Sequence, residues 1–251
     1  MLVEIGDSGG TEEWELEDAI NENTAAVAYI IAARQSGSIP LRRVVEIAHV
    51  RGVPVIVDAA AMLPPAENLT RYIDMGADMV SFSGGKGVLG PQSTGILCGR
   101  ADLIQAAAMN GAPNQGVGRT AKVCKEEIAG LVTALELFVD TDHEAESARW
   151  EAMSQNMADQ VGKIPGLYTK YFPATPELDE FESATPRAFV FLKPDSGREL
   201  GDIEESLKQG DPPVYGYPAE HGRGLALSPV NLMDGEDEIV IRRFKEVMDE
   251  K

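Results

Sequence analysis

Cysteine, histidine and basic side chains are scarce in this sequence of 251 residues. Its two cysteines, Cys98 and Cys124, are too few for a secreted disulfide framework, and they lie too far apart in the sequence to suggest a metal site. No signal-peptide pattern is evident, and the apolar run Ala25–Ala33 is too short to cross a bilayer. We therefore expect a cytoplasmic protein that holds no metal and does not enter a membrane.

Acidic residues outnumber basic ones almost two to one, with 41 Asp and Glu against 22 Lys and Arg and a formal net charge of −19. A field of this sign repels phosphate backbones, and no Lys/Arg-rich run offsets it. The charge therefore argues against a nucleic-acid partner. The hydrophobic share of 43% and the charged share of 25% are those of an ordinary globular protein, long enough for one or two domains.

Strand and helix patterns alternate along the first part of the chain, which is typical of an α/β fold with a mostly parallel sheet. The pattern predicts strands at 2–5, 27–31, 54–58, 79–83 and 94–98, and helices at 11–22, 39–51, 67–75, 100–109 and 121–139. Further on, predicted strands at 166–172, 188–192, 214–215 and 225–228 mix with helices near 144–161, 198–208 and 236–248. We predict a large α/β domain at 1–142 and a small α+β domain at 143–251.

The segment MVSFSGGKGVLGPQSTGILCGR at 79–100 is the most distinctive one, because it places Lys86 on a glycine-rich turn between two apolar runs. The glycines let the backbone turn tightly, so that the amine projects from the end of a strand. A solvated loop lysine is the ordinary alternative. A phosphate-binding P-loop is excluded, because it needs a glycine where this chain has Val80 and a Ser or Thr where it has Gly87.

A strand that ends in an acid precedes this turn. The run VPVIVDAAA at 53–61 has the continuous hydrophobicity of a strand covered on both faces, and it ends at Asp58. A βαβ connection is right-handed and brings both strand ends to one edge of the sheet, so Asp58 and Lys86 should face one cleft. A helix cap or a structural ion pair is the alternative role for Asp58.

An acid and an amine in one cleft suit pyridoxal phosphate, because a lysine condenses with its aldehyde and a carboxylate keeps its pyridine nitrogen protonated. Ser83, three residues before Lys86, is a candidate contact for the cofactor phosphate. Ser36, in the polar segment after the strand at 27–31, is a candidate contact for the phenolate oxygen of the cofactor. A plain turn ending at Gly37 is an equal alternative there.

Three segments carry a resemblance to a known family: GADMVSFSGGKGVLGPQSTGILCGRADLI at 76–104, GVGRTAKVCKEEIAGLVTALELF at 116–138 and DPPV at 211–214. They resemble the selenocysteine synthase (L-seryl-tRNA(Sec) selenium transferase)-like family of fold-type I pyridoxal-phosphate enzymes. That family includes lyases such as D-glucosaminate-6-phosphate ammonia-lyase. The similarity extends over nearly the whole chain, and the SGGKG…GPQ…G pattern is specific.

The resemblance implies roles for individual residues. Lys86 would form the Schiff base with the cofactor, Asp58 would pair with the pyridinium nitrogen, and Ser83 would contact the phosphate. Arg119 and Lys122 match a basic pair near the mouth of the active site, where they suit a small anionic substrate. The family also implies a homodimer or a higher homo-oligomer. Within the family, the net charge favours the small-molecule lyases over the tRNA-dependent transferases.

Two departures from the family pattern are evident. Members carry a further segment before the point that aligns with Met1, and it supplies two strands, the loop that holds the cofactor phosphate and the residue that stacks on the ring. This chain is therefore either a fragment or takes those strands from another chain, since unpaired sheet edges favour aggregation. After the PPV motif many members have an arginine, whereas this chain has Tyr215 and Tyr217, so the substrate is left open.

The function that follows is that of a pyridoxal-phosphate-dependent lyase or transferase that acts on an amino acid or amino-sugar acid by elimination. Lys86 would also move the α-proton, since an amine beside the reacting carbon is well placed as a general base. Two alternatives stay open: a selenium transferase proper, and a truncated, non-catalytic paralogue or partner subunit.

Overall fold

The computed structural model describes residues 1–7, 9–31, 37–174, 185–220 and 222–249. These residues divide into two compact units, one holding Met1–Thr141 and the other beginning at Asp142. Each unit has its own sheet and its own hydrophobic core. Within the described ranges, no helix combines the length and the apolar character needed to cross a bilayer.

The first unit is built on a sheet whose strands follow the order β1-β2-β3-β4. The strands are β1 (Val27–Ile30), β2 (Val55–Asp58), β3 (Met79–Ser83) and β4 (Gly95–Gly99). The first three are parallel, and β4 runs antiparallel to β3. The helices are α1 (Glu13–Ala19), α2 (Leu41–Val50), α3 (Asn68–Asp74), α4 (Ala101–Asn110) and α5 (Lys125–Asp140), with a 3-10 helix at Arg119–Ala121. The predicted α/β fold with a mostly parallel sheet is therefore present.

Helix α2 shows how the sequence builds the layer that packs on this sheet. Pro40 stands directly before the first turn, where its missing N–H and restricted φ are tolerated. The apolar residues of α2 recur at helical spacing and are buried in the same core as the sheet: Leu41, Val44, Val45, Ile47 and Ala48. The chain leaves the helix through Gly52, whose φ of +70° suits glycine.

Among the described residues, one face of the sheet contributes to the core of the first unit and the other does not. Side chains alternate along a strand, and residues aligned across a strand pair share a face. The core face consists of Val27, Tyr29, Val55, Val57, Val80, Phe82, Ile96 and Cys98. The opposite face, called the open face below, consists of Ala28, Ile30, Ile56, Asp58, Met79, Ser81, Ser83 and Leu97, and none of these belongs to a core cluster of the described residues.

The expectation that β2 is covered on both faces is therefore wrong for the part of the chain that the structure describes. Val55 and Val57 are fully buried, whereas Ile56 between them is only half-buried. The helix residues of the core cluster pack with the face of Val55 and Val57, which leaves the other face without a described layer.

Two further predictions for the first unit need correction. The segment 2–5 forms no strand, and Leu2 and Val3 are exposed, because no described strand pairs with it and an isolated strand is unstable. The helix predicted over 121–139 begins at Lys125, after the short 3-10 helix. Its start is marked by Glu127, whose carboxylate accepts the N–H of Cys124 at 3.1 Å.

The second unit has an antiparallel sheet with the order β5-β6-β8-β7. Its elements are α6 (His143–Val161), β5 (Leu167–Phe172), β6 (Arg187–Leu192), α7 (Leu200–Gln209), β7 (Tyr217–Ala219), β8 (Gly224–Leu227) and α8 (Glu236–Asp249). The strand predicted at 214–215 is wrong. The N–H of Val214 donates to the carbonyl of Leu207 at 2.9 Å, so pairing with β8 starts only at Tyr217.

Candidate functional site

Lys86 lies in the turn between β3 and β4, and its side chain is exposed. Backbone hydrogen bonds hold the turn on both sides of the lysine. Leu89 N–H donates to the carbonyl of Lys86 at 2.8 Å, and Gly90 N–H donates to the carbonyl of Gly84 at 2.8 Å. Gly84 N–H in turn donates to the carbonyl of Thr94 at 3.0 Å. The position of Lys86 is therefore fixed by backbone hydrogen bonds of the turn, and contacts of the Lys86 side chain do not contribute to it.

Close backbone packing explains two of the glycines beside Lys86. A Cβ atom on Gly85 would lie 2.5 Å from Cα of Gln92, and one on Gly87 would lie 2.0 Å from the carbonyl oxygen of Leu63. Both neighbours are backbone atoms, which cannot move aside cheaply. Leu63 belongs to the segment that follows β2, so the lysine turn and this segment meet at the same edge of the sheet.

Two side chains that come after the turn in the sequence stabilise it through hydrogen bonds. Gln92 Nε2 donates to the carbonyl of Gly85 at 2.8 Å. The hydroxyl of Ser93 donates to the carboxylate of Glu127 in the first turn of α5. The sequence interpretation did not assign a role to Gln92. The sequence feature that could have indicated a role for Gln92 is the GPQ tripeptide at 90–92, which comes shortly after Lys86.

Asp58 and Ser83 lie at the carboxyl ends of β2 and β3, on the open face. Asp58 aligns with Ser81 in the parallel register, and Ser83 follows two residues later on the same face. Asp58 is exposed, and its Oδ1 accepts the N–H of Ala60 at 2.9 Å. Within the described residues, its Oδ2 and the hydroxyl of Ser83 have no hydrogen-bond partner.

The structure thus brings Asp58, Ser83 and Lys86 to one edge of the sheet, as the βαβ connection predicts. No residue that the structure describes forms an ion pair with Lys86. A free amine, a carboxylate with an available oxygen and a free hydroxyl fit a ligand that carries an aldehyde, a ring nitrogen and a phosphate. Pyridoxal phosphate carries all three of these groups. Its aldehyde suits the amine of Lys86, its ring nitrogen suits the carboxylate of Asp58, and its phosphate suits the hydroxyl of Ser83.

Arg119 and Lys122 lie between α4 and α5. Arg119 begins the 3-10 helix and is half-buried, whereas Lys122 is exposed. Nε of Arg119 is buried and has no hydrogen-bond partner among the described groups. No described hydrogen bond joins this pair to Lys86, so the structure does not itself place them in one site with the lysine. The predicted cofactor contact Ser36 lies outside the described residues.

A buried acid that the sequence interpretation did not assign lies at the other end of the sheet. Asp78 precedes β3, and its carboxylate is hydrogen-bonded to His49 Nε2 at 2.8 Å. It also accepts the N–H of Val55 at 2.7 Å and Nη1 of Arg100 at 2.8 Å. Burial alone raises the pKa of Asp78, but the hydrogen bonds from His49, Val55 and Arg100 outweigh it and hold this pKa below its ordinary value.

A cavity of about 700 Å³ opens in the second unit, away from the lysine turn in the sequence. Its lining includes the buried side chains of Met157 and Leu227. Tyr215 and Tyr217 also line it and are largely exposed. The two tyrosines that stand after the PPV motif therefore border a cavity wide enough for a small ligand.

Comparison with known proteins gives this geometry a context. A family model described as aminotransferase class-V matches residues 2–177. D-glucosaminate-6-phosphate ammonia lyase of Salmonella typhimurium is 34% identical over 98% of this chain and 63% of its own length. A 5'-C-glycyluridine monooxygenase-decarboxylase of Streptomyces is 31% identical over 98% of this chain and 60% of its own. An L-seryl-tRNA(Sec) selenium transferase of Solidesulfovibrio magneticus is 26% identical over 96% of this chain and 56% of its own length.

Solved structures show the same relationship. A D-glucosaminate-6-phosphate ammonia-lyase superposes with a TM-score of 0.72 at 32% identity, covering 98% of this chain and 63% of that one. A cysteine desulfurase of Escherichia coli superposes with a TM-score of 0.58 at 19% identity, over 97% of this chain and 64% of that one, which is evidence of the fold alone. The chain spans roughly three fifths of the length of the first curated relatives that it matches.

Proposed function

Because this chain belongs to the aminotransferase class-V family, we propose that it is the lysine-bearing part of a pyridoxal-phosphate-dependent lyase. Membership in this family confirms the predicted fold-type I class, and the predicted enzyme class and cofactor are those of its relatives.

One observation carries the proposal: Asp58, Ser83 and Lys86 share an edge of the sheet, and their reactive atoms are unpaired among the described residues. Polar groups of a folded protein are ordinarily paired with each other or with solvent, and an acid and an amine left available at one edge of a sheet are typical of binding sites. The glycine packing around the turn keeps the amine at this edge.

Each of these residues has a distinct task in the proposed site. Pyridoxal phosphate, when bound, supplies an aldehyde that condenses with amines and a ring that accepts the electron pair of a carbanion. Lys86 would hold the aldehyde carbon through its Nζ, with loss of water. Once the amino group of the substrate had displaced it from that carbon, the freed Lys86 amine would take the α-proton of the substrate as a general base. Asp58 would accept the N–H of the ring nitrogen through Oδ2, and Ser83 would donate its hydroxyl to the phosphate.

We assign the substrate to the small anionic amino acids and amino-sugar acids. Arg119 supports this, because its buried Nε lacks a described partner and an anionic group would satisfy it, with Lys122 nearby in the sequence. A relative at 34% identity is named for a phosphorylated amino-sugar acid. The relative named for a tRNA substrate is 26% identical, and the net charge of −19 disfavours that partner.

Other parts of the sequence prediction belong to this proposal. We assign cofactor binding to the domain at 1–142 and a supporting role to the domain at 143–251. We also keep the homo-oligomer and the cytoplasmic location as predictions. Light scattering of the purified protein tests the first of these two, and fractionation of the source cells tests the second.

The proposal is tested by trapping the cofactor. The chain is incubated with pyridoxal phosphate, reduced with borohydride and digested, and the modified lysines are identified by mass spectrometry. We expect the adduct to concentrate on Lys86, since its amine has no described ion-pair partner and its turn lies at the same edge of the sheet as Asp58. Lys86→Ala should abolish this adduct.

Lys163→Ala is the matched control, because Lys163 is an exposed lysine of the second unit, far from the turn in the sequence. It should leave the yield on Lys86 unchanged. An adduct spread evenly over Lys86, Lys163 and other surface lysines would show that the aldehyde reacts unselectively and would overturn the proposal.

A further inference from the structure

The cavity of the second unit is formed by residues of that unit alone. Its lining extends from Met157 in α6 to Val240 in α8, and both ends of this range lie in the second unit. The volume of about 700 Å³ falls within the range of small-molecule binding sites. The chemistry proposed for Lys86 uses none of the lining residues. A ligand bound in this cavity would therefore be additional to the proposed function.

The buried part of the cavity lining is apolar. It consists of Met157, Val214, Leu227 and Val240, which all belong to the hydrophobic core of the second unit. Such a surface favours an occupant with an apolar body, because contact between the two removes apolar area from water. A compound with hydroxyls on every side would leave some of them unpaired against these side chains, at a cost in free energy.

Two charged residues line the described cavity, and both already have partners. Nζ of Lys208 lies 2.6 Å from Oε1 of Glu204. Glu236 accepts the N–H of Met233 at 2.7 Å through Oε2 and belongs to the first turn of α8, where the helix dipole stabilises a carboxylate. A charged group that entered the cavity would lose hydration without gaining an unpaired counter-charge. The lining therefore favours an uncharged ligand.

Four neutral polar side chains of the lining are available for hydrogen bonds. The hydroxyls of Tyr215, Tyr217 and Ser228 and the amide of Asn231 form no hydrogen bond within the described residues. The hydroxyls and the amide can each both donate and accept. An amide group on a ligand has the same double capacity and so complements them. Two of the four residues are tyrosines, whose rings pack favourably against another aromatic ring.

We propose that this cavity binds an uncharged aromatic compound that carries an amide group, either free or within a heterocyclic ring. The aromatic ring contacts the apolar side chains of Met157 and Leu227. The amide exchanges hydrogen bonds with Asn231 and with the neighbouring hydroxyls. This binding goes beyond the proposed function, because it requires neither Lys86 nor a cofactor.

Three probes of nearly the same shape test the chemical class. Benzamide is neutral, benzoate carries a negative charge and benzamidine carries a positive charge on the same ring. We expect benzamide to bind the full chain with a Kd of about 1 mM, a level that suits so small a ligand. Benzoate and benzamidine should bind about fivefold more weakly, because neither finds a free counter-charge. Ligand-observed NMR titration measures all three affinities.

The position of the bound probe is read from the methionine methyl groups. The chain has nine methionines, of which Met157 lines the cavity and Met62 lies in the first unit. With carbon-13-labelled methyl groups, benzamide should shift the Met157 resonance and leave that of Met62 in place. Met157→Leu assigns the resonance, since this exchange nearly conserves volume in a core.

One substitution removes a proposed contact, and two others serve as controls. Asn231→Ala should weaken benzamide binding by about fivefold through loss of the amide contact, and Asn231 is exposed, so the fold is retained. Met233→Ala is the matched control, because Met233 is 71% exposed in the same loop and does not line the cavity. Lys86→Ala should bind benzamide as the wild type does, so failure of the cofactor chemistry does not affect this result.

Four results would overturn the proposal. The first is no saturable binding of benzamide up to about 10 mM, which is ten times the expected Kd. The second is binding of benzoate or benzamidine that is as tight as that of benzamide or tighter. The third is an unshifted Met157 methyl resonance under saturating benzamide. The fourth is an equal effect of the Asn231 and Met233 substitutions.

Discussion

At the amino end of the first sheet Asp78 is buried among three donors, whereas at the carboxyl end Asp58 is exposed and accepts one described hydrogen bond. The Asp78 side chain is 5% exposed and is held by His49, Val55 and Arg100. Among the described groups, Asp58 accepts only the N–H of Ala60. Two residues of the same type, each at the end of a strand, thus have opposite surroundings.

The difference separates an acid that stabilises the fold from an acid available for chemistry. A buried carboxylate is tolerated when its oxygens are hydrogen-bonded, and Asp78 connects α2, β2 and the start of α4 in this way. A carboxylate with a free oxygen, at the same sheet edge as an unpaired amine, contributes little to stability, but it can bind a ligand.

The largest effect on stability is expected for Asp78→Asn. The amide cannot accept from all three donors and leaves Arg100 without its buried partner, so the first unit should lose about 3 kcal/mol of unfolding free energy. Hydrogen exchange of the amides in β2 and β3 measures the unfolding free energy of the first unit without interference from the second unit.

Asp58→Asn is the matched substitution at the other end of the sheet. The asparagine Oδ1 can still accept the N–H of Ala60, so the unfolding free energy should change by no more than about 0.5 kcal/mol. The trapped yield on Lys86 should fall, because an amide does not stabilise a protonated ring nitrogen. A loss of stability equal to that of Asp78→Asn would remove the distinction between the two ends.

An effect on stability between those of Asp78→Asn and Asp58→Asn is expected for Gly87→Ala. Its Cβ would lie 2.0 Å from the carbonyl oxygen of Leu63, so the backbone must shift at a cost of about 2 kcal/mol, and the yield on Lys86 should fall as the turn moves. Gly111→Ala is the control, since its Cβ meets nothing nearer than 3.7 Å. Equal unfolding free energies for the two variants would show that the turn is not tightly packed.

The smallest effect is a pH dependence. The pKa of Asp78 is lowered in the folded protein, so the native state binds fewer protons than the unfolded state between that pKa and the ordinary carboxyl value of 3.8. Its contribution is complete above pH 3.8 and is lost as the pH falls through the folded-state pKa. Acid unfolding should therefore be steeper for the wild type than for Asp78→Asn. Parallel acid titrations followed by circular dichroism measure the difference, and superimposable curves would contradict it.

The candidate site was largely predictable from the sequence. A strand ending at Asp58, a helix and a strand leading to Lys86 form a right-handed crossover, so that both residues reach one edge, and the structure has them there. The Asp78 cluster was not predictable, because its partners come from elements distant in sequence. His49 and Arg100 are 29 and 22 residues away from Asp78. The family and cofactor class followed from the SGGKG segment and its neighbours, and the class-V match agrees with them.

What the sequence determined by itself was local: the periodicity of the helices, the apolar runs of β2 and β3, and the glycines that shape the lysine turn. These follow from backbone sterics and side-chain spacing within a few residues. Three outcomes depended on the tertiary structure: which face of the sheet contributes to the core, which aspartate accepts several hydrogen bonds, and whether 2–5 forms a strand. Such outcomes depend on whether a partner layer or strand is present in space, and the hydropathy of a single strand carries no information about that.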